Sequence, residues 1–320
     1  MESKPTSFII KNFTTKSGAF YTTLNLSYQV FGLPLHSAPI VLVNHALTGN
    51  SQVIGINGWW NDLIGANKTI DTTKYTVLAF DVPGNGFDDF SIENYTDFTA
   101  RDVAEIFVLG IEALEIQQLY AIIGGSVGGG IAWEMAALQP KITNHLIPIA
   151  TDWKATDWLI ANCFLQEQIL KNSSNPIEDA RIHAMLCYRT PESFTAKFER
   201  TTNEDLAIFN VESWLLHHGA KLQKRFQLSS YKMMNQLLKT IDITRNSDAF
   251  EVVAAKIEAD IHIIGIDSDL FFTPNENKAT FEALKKIKNN VSYQEIVSIH
   301  GHDAFLIEYK QLHNLLKDLF

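Results

Sequence analysis

The sequence predicts an α/β fold: a mostly parallel central sheet with helices on both faces and a helical segment inserted into it. Three observations carry this reading. Continuous apolar runs of strand length recur along the chain, segments of helical periodicity separate them, and one long stretch breaks the alternation. At 320 residues the chain has room for one large core plus an inserted subdomain.

Taken in order, "FIIKNFTT" and "LNLSYQVFG" alternate about a Gly-containing turn and predict an N-terminal strand pair. The runs "APIVLVNHAL", "YTVLAFDVPG", "QLYAIIGGS", "ITNHLIPIAT" and "ADIHIIGIDSD" do not alternate, which marks strands buried on both faces, as in a parallel sheet. A further strand, "VSYQEIVSIH", follows and takes in His300. Helical spacing appears in "FTARDVAEIFVLGIEALEI", "GIAWEMAAL", "NENKATFEALKKIK" and "DAFLIEYKQLHNLLKDLF". Residues 152–249 are rich in Trp, Phe, Leu, Lys and Glu with helical periodicity and few strand candidates. They predict a helical lid above the strand ends, leaving 1–151 and 250–320 as the catalytic core.

Composition narrows the function classes. A net charge of -10 without clustered Lys or Arg argues against nucleic-acid binding, which needs cations to displace counterions from phosphate. The two cysteines, Cys163 and Cys187, lie in no C-x-x-C arrangement, so a reduced compartment fits better than a disulfide framework. The start, "MESKPTSFIIKNF", lacks the charged and apolar regions of a secretory signal, and no long uncharged apolar run occurs. These features predict a cytoplasmic protein with no membrane association. No metal site is expected; adjacent His217 and His218 would point about 100° apart on a helix.

The chemistry centres on "YAIIGGSVGGGIAWEMAALQP", residues 120–140. Gly124, Ser126 and Gly128 fit G-x-S-x-G between a strand and a helix, the context in which a serine sits on a strained bend as a nucleophile. Its neighbours lack a Cβ so that strand and helix can approach closely. The stretch fits neither a Walker phosphate loop, which needs a following Lys, nor the G-x-G-x-x-G of a dinucleotide loop.

A serine hydroxyl needs a base to accept its proton, and in this context the acid and the His follow in the order Ser, Asp or Glu, His. "GIDSDLFF" offers Asp267 and Asp269, and "SIHGHDAF" offers His300 and His302, both after strands. Alternation does not separate the two acids, but Asp269 lies further into the loop, where the triad acid usually stands. His302 follows a glycine and precedes a helical pattern, so it is the better base. The oxyanion donors expected are the backbone N–H groups of Val127, after the serine, and of Leu47, in "NHALTGN" after the third strand.

"HALTGNSQV", "GWWNDLIG", "GGSVGGG", "LIPIAT", "GIDSDLFF" and "GHDAFLIE" resemble, in order and at similar separations, blocks of the homoserine O-acyltransferases of the α/β-hydrolase superfamily. The likeness runs from about residue 20 to 310. It implies a ping-pong transfer of an acetyl or succinyl group from acetyl-CoA or succinyl-CoA, through an acyl-Ser126, to the side-chain hydroxyl of homoserine. It also implies that Arg181 holds the acceptor carboxylate, with Tyr188 seven positions later, and that Asp303, next to the base, holds its ammonium. A homodimer and a place in methionine synthesis are further implications. One block departs from the family: where a "GGCxGSTGP"-like loop is usual, this chain reads "DVPGNGFDDF", with three acidic residues in ten. The rival reading is a serine esterase on the same triad, in which water takes the acyl group.

Overall fold

In a computed structural model, residues 5–245 and 248–320 are described, so the first four residues of the expected core and 246–247 of the expected lid lie outside the description. Eight strands form one sheet: β1 (Thr6–Thr14), β2 (Phe20–Gly32), β3 (Ile40–Asn44), β4 (Thr76–Phe80), β5 (Leu119–Gly125), β6 (Thr143–Ile149), β7 (Asp260–Ile266) and β8 (Val291–Ile296). Their spatial order is β1-β2-β4-β3-β5-β6-β7-β8. β1 with β2 and β2 with β4 are antiparallel, and the other neighbours run parallel.

The unbroken apolar runs are explained by this sheet having no wet face at its centre. Along β3, Ile40 and Leu42 enter one core cluster while Val41 and Val43 enter the other. β5 divides likewise, Ile122 to one side and Ala121 and Ile123 to the other. Side chains two apart share a face, so each strand fills both layers.

The core helices are α1 (Ala100–Ala113) and α2 (Val127–Leu138), and then, after a helical insertion, α8 (Phe250–Ala254), α9 (Pro274–Leu284) and α10 (Tyr309–Leu316). α1 begins in a capping box of Thr99 and Asp102, which satisfies two otherwise orphaned amides. Between β6 and α8 lie α3 (Asp157–Asn172), α4 (Pro176–Tyr188), α5 (Pro191–Phe198), α6 (Asn210–Gln223) and α7 (Leu228–Lys239). α4 and α5 each start on a proline, whose missing N–H costs nothing at a helix start. The chain enters and leaves this helical segment through a bridge pairing Lys154 with Asp242. Below the bridge, the buried Glu134 of α2 accepts from Arg101 Nε (2.6 Å), Arg245 Nη2 (2.9 Å) and the Asp242 amide (3.0 Å), tying the segment's exit to the core.

Two local expectations are corrected. β8 stops at Ile296, because the Val297 amide turns to the Gln311 side chain (3.0 Å), so His300 stands in a turn and not in the strand. The helical pattern of "DAFLIEYKQLHNLLKDLF" divides into a 3-10 turn over Gly301–Leu306 and then α10.

Candidate active site

The parallel strands point their C-terminal ends at one edge, and the turns after β5, β7 and β8 deliver Ser126, Asp269 and His302 there. Ser126 stands between β5 and α2 with φ 57° and ψ -129°, a conformation costly for any residue with a Cβ. The strain falls on the serine itself. The glycines around it serve close approach: a Cβ on Gly124 would meet the backbone of Gly128 at 2.5 Å, and one on Gly125 would meet the Phe305 ring at 2.4 Å. Ser126 Oγ makes no bond back to the helix it caps, which leaves the hydroxyl to the site.

His302 Nδ1–H donates to Asp269 Oδ2 at 2.7 Å, with both side chains buried. The other carboxylate oxygen, Oδ1, accepts the amides of Phe271 (2.7 Å) and Phe272 (2.9 Å), so Asp269 is fixed before it orients the imidazole. Phe272 stacks near-parallel on that ring at 5.8 Å, while Phe271 (5.2 Å) and Phe305 (5.8 Å) present edges. Phe305 thus packs both on His302 and on the residue preceding Ser126. No hydrogen bond joins Ser126 Oγ to His302 among the described residues; such bonds are often long at rest and tighten when substrate arrives.

The neighbouring candidates go elsewhere. Asp267 Oδ1 accepts the Ser298 amide at 2.9 Å, and His300 Nδ1 pairs with Ser193 Oγ at 3.0 Å, joining the His302 loop to α5. Gly301, with φ 65°, makes the reversal that separates the two histidines.

The Leu47 and Val127 amides donate to no protein acceptor among the described residues. Val127 opens α2, where amides are orphaned and the helix dipole favours negative charge. Asn44 Nδ2 donates to the Gly128 carbonyl (3.2 Å) and draws the Leu47 loop onto that helix start.

Sequence reasoning missed what holds this loop. His45 donates from Nδ1 to the Ala46 carbonyl (2.8 Å) and accepts the Val82 amide at Nε2 (3.0 Å), a neutral arrangement that burial favours by lowering the ring's pKa. Asp81, the first acid of the divergent "DVPGNGFDDF" stretch, accepts from the Ser51 amide (2.7 Å), Ser51 Oγ (2.8 Å) and Ser27 Oγ (2.8 Å). Arg225, from the inserted helical segment, donates to the Thr48 carbonyl at 2.9 Å. The His in "NHAL" was the available signal; nothing marked Arg225.

Arg181 and Tyr188 lie on α4, one above the other, with the guanidinium 5.6 Å from the centre of the Tyr188 ring. That ring packs 5.5 Å from His302, and burial pushes its hydroxyl well above the ordinary range, keeping it a proton donor. Asp303 follows His302. Burial raises its carboxyl pKa, opposed by Arg181, then His302, then Arg189. Arg189, which the sequence did not single out, comes within 3.9 Å of Asp303. Beside Leu47, lid side chains including Tyr188, Tyr231 and Gln166 enclose a cavity of about 10 Å³, room for one water.

A strained serine after the fifth strand, an acid after the seventh and a histidine after the eighth, on this strand order, define an α/β hydrolase. A family profile for the alpha/beta hydrolase fold matches residues 39–309. A homoserine O-acetyltransferase of Methanococcus vannielii is 34% identical over 346 residues, covering 95% of this chain and 70% of that one. A homoserine O-succinyltransferase of Nitrosomonas europaea is 30% identical over 344 residues, covering 94% and 91%. The solved esterase E22 superposes with a TM-score of 0.87 at 18% identity over 99% of both chains, a likeness of fold alone. The chain belongs to the homoserine O-acyltransferase family of the α/β hydrolases and is an enzyme of the transferase class. Among the described residues, no helix is long and apolar enough to cross a membrane.

Proposed function

We propose that the protein moves an acetyl or succinyl group from acyl-CoA to the side-chain hydroxyl of homoserine by a ping-pong mechanism. Ser126 Oγ attacks the thioester carbonyl as His302 Nε2 takes its proton, and the carbonyl oxygen, now negative, accepts from the Leu47 and Val127 amides. The C–S bond then breaks, His302 returns the proton to the leaving thiolate, and acyl-Ser126 remains. The homoserine hydroxyl gives its proton to His302 and attacks the acyl carbon; the acyl C–Oγ bond then breaks, His302 returns the proton to Ser126 Oγ, and the O-acyl ester leaves. Asp269 keeps Nδ1 protonated so that Nε2 is the working atom.

The observation that supports transfer over hydrolysis is the charge set beside the base. Asp303 adjoins His302 and lies within 3.9 Å of Arg189, and Arg181 packs on the Tyr188 ring that lies against His302. A carboxylate and a guanidinium suit the two ends of a zwitterionic acceptor, whereas a simple ester hydrolase needs neither. The product would feed methionine synthesis. A homodimer through the lid suits the exposure of Trp158, Phe164 and Leu186 on α3 and α4, and a cytoplasmic location fits the same role.

The test is thiol release from acetyl-CoA and succinyl-CoA with homoserine, with serine, or with no acceptor. Release dependent on homoserine, lost in Ser126→Ala, is expected. Release at the same rate without an acceptor would establish the esterase instead.

A further inference from the structure

At the N-terminal end of the strands, away from Ser126, two parallel neighbours, β6 and β7, gather two imidazoles and a carboxylate. Asp260 on β7 stands in register with His145 on β6, and His262, two residues further along β7, stands in register with Ser292 on β8. Residues two apart on a strand share a face, so His262 and Asp260 project together toward His145. His145 Nδ1 lies 3.2 Å from His262 Nε2 and 3.9 Å from Asp260 Oδ2, and the three ligand atoms all fall within 4.8 Å of one another.

We propose that His145, Asp260 and His262 bind a divalent transition ion of the zinc type, in a site separate from the active site. Two nitrogens each about 2.0–2.1 Å from a tetrahedral ion stand about 3.3 Å apart, close to the separation of the two rings. The carboxylate needs only a small swing, and the Asp260 side chain is 51% exposed and able to make it. Its Oδ1 is held by Asn290 Nδ2 (2.9 Å), which leaves Oδ2 for the ion. His262 Nδ1 pairs with Ser292 Oγ at 3.0 Å, the outer hydrogen bond that fixes ring and tautomer in metal-binding histidines. Burial lowers the pKa of both rings and so favours the neutral form that a metal takes. Two imidazoles and one carboxylate select zinc, cobalt or nickel over magnesium or calcium, and three ligands leave a position for water. From His145 to the end of β6 is about 13 Å at strand rise, so the ion would clamp β6 to β7 without reaching Ser126.

The experiment uses the full-length chain without an affinity tag, zinc titrated by calorimetry and cobalt(II) as a visible probe of coordination. One zinc per chain is expected, with a cobalt spectrum of mixed nitrogen and oxygen ligation. His145→Ala and His262→Ala should each weaken zinc about 100-fold and Asp260→Asn about tenfold or more, while His217→Ala should change nothing. Uptake by the wild type that survives these three substitutions, or no stoichiometric uptake, would overturn the proposal and leave a hydrogen-bonded histidine pair. Should an imidazole variant fail to fold, Asp260→Asn decides alone: unchanged zinc affinity overturns the site.

Discussion

Gly128 meets Asn44 backbone to backbone: a Cβ on the glycine would stand 2.4 Å from the Asn44 carbonyl oxygen and 2.7 Å from that of His45. Neither oxygen belongs to a flexible side chain, so a methyl group must push the start of α2 away from the loop. That contact lies between the turns that carry the Val127 and Leu47 amides. Gly128→Ala should therefore lower kcat for thiol release about 100-fold or more, the loss typical of removing one oxyanion donor, with little change in KM. Circular dichroism on the same sample establishes that the fold survives. A kcat within about tenfold of wild type would show that the two donors do not depend on this approach.

Asp269 and Asp267 leave the same turn but carry different loads. Asp269→Asn should cost about 10⁴-fold in kcat, because the amide favours the wrong imidazole tautomer. Asp267→Asn keeps an oxygen that can accept the Ser298 amide and should leave activity near wild type. His302→Ala and His300→Ala should divide the same way, the second loosening only the Ser193 link to α5. The rate of fluorophosphonate labelling at Ser126 reads all four variants, and equal losses for Asp267→Asn and Asp269→Asn would reject the assignment.

The sheet was legible because each central strand must supply both core layers, which erases polar alternation and leaves runs such as "IVLVN". The Ser126 turn was legible because strand, serine and helix are contiguous. Asp269 could be preferred to Asp267 only for lying further into the shared turn, and it is the bond from His302, far along the chain, that separates the two. The support of the Leu47 loop was hidden for the same reason. Asp81 looked like one acid in a divergent stretch, yet it binds Ser27 and Ser51 from two other segments. The cluster of His145, Asp260 and His262 has no motif spacing at all; strand register alone assembles it.

Asp303 should make acceptor binding depend on pH in a direction its environment fixes. Burial raises its pKa above the ordinary 3.8, so on acidification it loses its charge earlier than an exposed carboxylate would. If the ionised form holds the acceptor's ammonium, KM for homoserine rises as pH falls, beginning above the ordinary carboxylate range. Asp303→Asn should raise KM at neutral pH about 10- to 100-fold, the worth of a charge-assisted bond, and flatten that pH dependence. Initial rates against homoserine concentration across pH test this; a KM that responds to pH identically in both proteins would remove Asp303 from the ammonium site.

Asp152 offers a stability test independent of catalysis. It is buried at the end of β6, where its Oδ1 accepts from the Trp153 amide and Thr280 Oγ1, both at 2.8 Å, and burial pushes its pKa up to about 6. The folded pKa lies above the unfolded value of 3.8, so between about pH 4 and 6 the folded protein binds more protons and stability falls as pH rises. Above that window the ionised carboxylate costs about 3 kcal/mol. Asp152→Asn keeps an oxygen that can accept from Thr280 and the Trp153 amide and removes the charge. The variant should melt about 4 °C higher than wild type at pH 8, with the difference vanishing near pH 4. A wild-type protein that gains no stability relative to Asp152→Asn on acidification would mean that Asp152 stays charged in the fold, held by bonds stronger than its burial penalty.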